Sequence, residues 1–87
     1  MDLNKTVLLG TEYDEALFDQ LLLVIEKMGG IREDVTTGMG GSQEMLLLSV
    51  RLKGGIVTIE RETYVGLSIH GPVATIDEIC MQMDSTR

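Results

Sequence analysis

Apolar positions along the chain alternate between two periods, and the changes of period mark the elements. Lys5 to Leu9 (KTVLL) is a short β-branched and apolar run that predicts a first strand, closed by Gly10. From Tyr13 to Met28 the spacing turns helical. At about 100° per residue, Leu17, Leu21, Val24, Ile25 and Met28 share one stripe, with Phe18 and Leu22 on its edge and Glu15, Asp19, Glu26 and Lys27 opposite. Thr11 followed by Asp14 is a weaker relative of the capping box, and Gly29-Gly30 offers the positive φ that often ends a helix.

Ile31 to Thr37 alternates only weakly, because Arg32, Glu33 and Asp34 interrupt it, and Gly38-Met39-Gly40-Gly41-Ser42 reads as a flexible connection. From Glu44 to Ile69 the period is two: Leu46, Leu48, Val50 and Leu52 alternate with Leu47, Ser49, Arg51 and Lys53. A two-residue turn at Gly54-Gly55 would set Leu52 opposite Val57 and Val50 opposite Ile59. A three-residue connection at Glu62-Thr63-Tyr64 would set Ile59 opposite Leu67, Val57 opposite Ile69 and Thr58 opposite Ser68. Both hairpins then place the same residues on one apolar side, as expected of a meander with one packed face.

Gly71-Pro72 is expected to break the sheet. Thr75-Ile76-Asp77-Glu78 fits a capping box, which predicts a second helix from Thr75 with Ile76, Ile79, Cys80 and Met83 as its apolar stripe, fraying over Asp84 to Arg87. The implied order is β-α-β-β-β-β-α, the second strand being the least clearly patterned. One apolar sheet face and two apolar helix stripes need each other, so the expected fold is α+β. It is a two-layer α/β sandwich with a mainly antiparallel four- to five-stranded sheet and both helices on one face. Residues 1–87 form one domain, since 87 residues leave room for no more.

Composition narrows the function classes. Fourteen acidic residues against seven basic ones give a net charge of −7, which disfavours nucleic acid and anionic membranes as partners. Tyr13, Phe18 and Tyr64 are the whole aromatic complement, too few for base stacking. Cys80 and His70 are each single, which excludes an intrachain disulfide and multi-cysteine or multi-histidine metal motifs. No cofactor is expected. The first residues carry no basic stretch followed by a long apolar one, and the longest apolar run is Leu21 to Ile25, so a cytoplasmic location is expected.

The chemistry-bearing residues weigh against catalysis. The glycine run lacks the lysine and following helix of a phosphate loop. The carboxylates Glu33, Asp34, Glu44, Glu60, Glu62, Asp77 and Glu78 read as a solvated surface, Asp77 and Glu78 as acids in the first turn of the second helix. Cys80 sits on an apolar stripe, where a free cysteine behaves as a small hydrophobe rather than a nucleophile served by His70. No catalytic, cofactor or metal residues are therefore assigned.

Apolar positions left without internal cover stand out instead. Leu23 lies about 200° from the first helix's stripe. Met45, Leu47 and Ile56 fall on the outer sheet face with Ser49, Arg51, Thr58, Glu60, Ser68 and His70, a face expected to be apolar at one end, charged at the other, and less acidic than the helices. Leu23, Met45, Leu47, Ile56 and His70 are the candidate interaction residues, for a protein partner or for self-association. The expected function is that of a small non-enzymatic interaction module, of which an immunity-like or chaperone-like partner of a basic protein is one form. The alternative is a small-ligand or enzymatic rim site around Arg61, Tyr64 and His70, with Arg61 on the inward side reaching the rim or a helix carboxylate.

Overall fold

The computed structural model describes residues 3–11, 14–40, 43–63 and 65–85, with the side chains of Met39 and Gln43 outside that description. Tyr13, Tyr64 and the last two residues, which the sequence reading drew upon, lie outside the described residues. The elements are β1 (Asn4–Gly10), α1 (Glu15–Lys27), β2 (Ile31–Gly40), β3 (Gln43–Leu52), β4 (Gly55–Glu62), β5 (Gly66–Pro72) and α2 (Val73–Ser85). They follow the expected β-α-β-β-β-β-α order, with one antiparallel sheet ordered β1-β5-β4-β3-β2. Four strands thus run as a meander outward from β5 to β2, and β1 closes the far edge.

The core lies between the sheet and both helices. Leu17, Leu21, Val24 and Ile25 of α1 and Ile76, Ile79 and Met83 of α2 bury against Leu48, Val50, Leu52, Val57, Ile59, Leu67 and Ile69. These are the positions whose periodicity predicted the elements. Each fully buried Leu, Ile or Val contributes roughly 1.5–3 kcal/mol of transfer free energy, so this interface supplies most of the drive to fold.

Both hairpin registers differ from expectation by one residue in the turn. Leu52 pairs with Gly55 and Val50 with Val57, so the β3–β4 turn is Lys53-Gly54. Only Gly55 of the glycine pair takes a positive φ, at 136°. In the second hairpin Ile59 pairs with Ile69 and Glu62 with Gly66, which places Val65 in the connection, where it is exposed. Gly66, at φ 114°, opens β5 where any Cβ would strike the Gly10 carbonyl of β1. Because each pairing moves by two positions, every side chain keeps its face, and apolar alternation cannot by itself distinguish the two registers.

The helix starts also move. Asp14 caps α1, its side chain accepting from the Leu17 amide at 2.9 Å, in place of Thr11. α2 begins at Val73, two residues before the expected cap, and its first turn holds no acid. The Val73 amide donates to the Leu3 carbonyl at 3.0 Å, so a tertiary acceptor does the work of a local cap. Pro72 closes β5 opposite Asn4 and stays within the sheet. The largest difference is β2. It continues through Gly38-Met39-Gly40, which pair with Met45, Glu44 and Gln43, so most of the expected flexible connection is strand.

Candidate functional site

Both helices lie on one side of the sheet, and no described element covers the other. Strand parity and register fix what that outer face presents. Thr6 pairs with His70, His70 with Thr58, Thr58 with Ser49 and Ser49 with Asp34, giving a polar row that crosses all five strands. Within it the Thr6 hydroxyl and His70 Nδ1 lie 2.7 Å apart in a hydrogen bond. On one side of the row, Leu8 pairs with Ser68, Ser68 with Glu60, Glu60 with Leu47, and Met45 with Glu62. On the other side Ile56 pairs with Arg51 and Arg51 with Ile31.

The outer face is therefore not apolar at one end and charged at the other. Apolar side chains stand on both sides of the polar row, and carboxylates are interleaved with them one for one at Met45–Glu62 and Leu47–Glu60. Arg51 on this face is held by Glu33 at 2.8 Å, an acid carried in at the β2 bulge between Arg32 and Asp34. Glu60 and Glu62 have no ion-pair partner among the described residues.

The candidate residues do not form one patch. Met45 and Leu47 are half-buried neighbours on β3, Ile56 is exposed beyond the polar row, and His70 is part of that row. Leu23 belongs to the opposite layer. It is exposed on α1 and lines a groove of about 570 Å³ with Asp19, Leu22, Glu26 and Arg32, between the helix and the start of β2. Leu8, 63% exposed on β1, is an outer-face residue that the sequence reading missed. The alternation of Leu8 with core-packed Val7 and Leu9 was the signal that could have found it.

Of the alternative rim, Arg61 and His70 lie on opposite faces of the sheet, and Tyr64 lies outside the described residues. Arg61 pairs with buried Leu67 and so points inward, while His70 points outward, because their positions on adjacent strands have opposite parity. Arg61 meets no helix carboxylate; its guanidinium lies over the Phe18 ring of α1, 4.7 Å from the centroid. This cation–π contact places a charge at the rim without desolvating it fully.

Cys80 and His70 are likewise on opposite sides of the sheet. Cys80 is half-buried against the core, and burial pushes its thiol above the ordinary cysteine value, outweighing the opposing pull of Lys5. Asp77, expected to act on the helix dipole, instead forms an ion pair with Lys5 of β1. Among the described residues no three His, Cys, Asp or Glu side chains converge. No helix among them is long and apolar enough to cross a membrane. No protein-family model, curated protein sequence or solved structure matches the chain.

Proposed function

We propose that this chain is a cytoplasmic, non-enzymatic protein-interaction module that engages a basic partner through the outer face of its sheet. The observation that carries the proposal is the interleaving of Met45 and Leu47 with Glu62 and Glu60 on a face that no described element covers. Leu8 and Ser68 extend the same rows toward β1. A partner surface that alternates apolar side chains with Lys or Arg would meet this face on both terms. Apolar contact supplies the affinity and charge complementarity the encounter rate and the choice of partner. The chain's net charge of −7 steers in the same sense.

Affinity capture from the native lysate tests the proposal with three baits: the wild-type chain, Leu47→Asp, and the pair Glu60→Lys with Glu62→Lys. The wild type should retain a protein of basic isoelectric point, and both variants should lose it while keeping the wild-type circular dichroism. Capture that is absent, or equal across the three baits, rejects the proposal.

A further inference from the structure

The two edges of the sheet are finished differently, and the difference points to a second copy of this chain. β1 is seven residues long, carries Lys5, is bulged between Leu8 and Gly10, and is tied to α2 through the Lys5–Asp77 pair and the Val73–Leu3 backbone bond. Shortness, a charge and a bulge are the devices by which natural sheets blunt a free edge. β2 is ten residues long and lies at the other edge, with every residue from Ile31 to Gly38 exposed. Its charges and its bulge fall within Arg32–Asp34, and from Val35 to Gly40 the strand holds no charge and no proline. That stretch leaves a row of backbone donors and acceptors open beside Val35, which is 55% exposed.

We infer that two copies of the chain pair antiparallel through the Val35–Gly40 edge of β2, joining their sheets into one of ten strands. The distribution of charge selects this occupant. A two-fold axis at Thr36 sets the Arg32–Asp34 block of each copy against the uncharged Gly38–Gly40 run of the other, so no like charges stand opposite one another. Thr36 of each copy stands beside its counterpart at the axis, where the two hydroxyls can hydrogen-bond across the strands. Pairing of this kind is closed: it uses both open edges and leaves the two blunted β1 edges outermost, which prevents growth into a filament. The remaining opposition is the general repulsion of two acidic bodies, which salt screens within about 8 Å at physiological ionic strength.

The surface is distinct from the outer face of the proposed function, and the test separates them. Sedimentation equilibrium of the full chain should give twice its 9.6 kDa mass, with dimerisation strengthened by added salt. Val35→Lys with Thr37→Lys should weaken the dimer at least tenfold, and Leu47→Asp should leave it unchanged, all three proteins showing the same circular dichroism. A monomer at every concentration overturns the inference. So does a dimer that Leu47→Asp dissolves and the lysine pair does not, since that dimer would be formed by the outer face.

Discussion

The two edge strands are bonded into the same sheet, yet they depend on the rest of the molecule to different degrees. β1 packs on β5 and on α2, and its Val7 and Leu9 reach the core. β2 packs substantially on β3 alone, and from Ile31 to Gly38 both of its faces stand in solvent. The lesson concerns where order comes from. β1 is fixed by burial as well as by backbone hydrogen bonds, whereas β2 has the hydrogen bonds and little else, and a net hydrogen bond contributes only about 0.5–1.5 kcal/mol.

Substitution beside the two edges should expose this difference most strongly. Ile69 is fully buried and is the partner of Val7 on β1 and of Ile59 on β4. Ile69→Ala should cost about 2–5 kcal/mol in denaturant unfolding. Val35→Ala, measured in dilute solution where the chain is monomeric, should stay within about 0.5 kcal/mol of wild type. Similar losses at the two sites would mean that β2 is held by something beyond β3.

A smaller effect reads the covered side through its thiol. Burial holds Cys80 protonated to higher pH than in the unfolded chain. The unfolded state therefore releases its proton first, and stability should be unaffected below the ordinary cysteine value and decline as pH rises through it. Cys80→Ala should remove that decline. At a pH just below the ordinary thiol value, and in dilute solution where the chain is monomeric, iodoacetamide should modify Cys80 at least several-fold more slowly than a cysteine placed at Val35 in the Cys80→Ala background.

The same contrast explains what could be read from the sequence. β3, β4, β5 and both helices announce themselves because each has a buried face, and burial is what writes a period into a sequence. β2 has no buried residue from Ile31 to Gly38, so Arg32, Glu33 and Asp34 interrupt its pattern freely and Gly38-Met39-Gly40 passes for a loop. Hairpin registers were legible only to parity, since Leu52 opposite Gly55 and Leu52 opposite Val57 expose the same faces. The start of α2 was hidden because its cap is the Leu3 carbonyl, seventy residues away in sequence.

Of the candidate site, Met45, Leu47, Ile56 and His70 were legible as outer-face positions from alternation alone. Their division by the Thr6–His70–Thr58–Ser49–Asp34 row was not, because it depends on registers that parity leaves open and on strand order. The separation of Arg61 from His70 was available in the parity of the strands. The carboxylates beside Met45 and Leu47 required the observed pairing of β3 with β4.

Hydrogen exchange followed by peptide mass at two protein concentrations, one dilute and one well above the dimer's midpoint, tests the central contrast most directly. Raising the concentration should slow exchange in peptides from β2, residues 31–40, by tenfold or more, and leave β1, residues 4–10, unchanged. Protection of β2 that is the same at both concentrations, or a gain of protection that falls on β1 instead, would contradict the account.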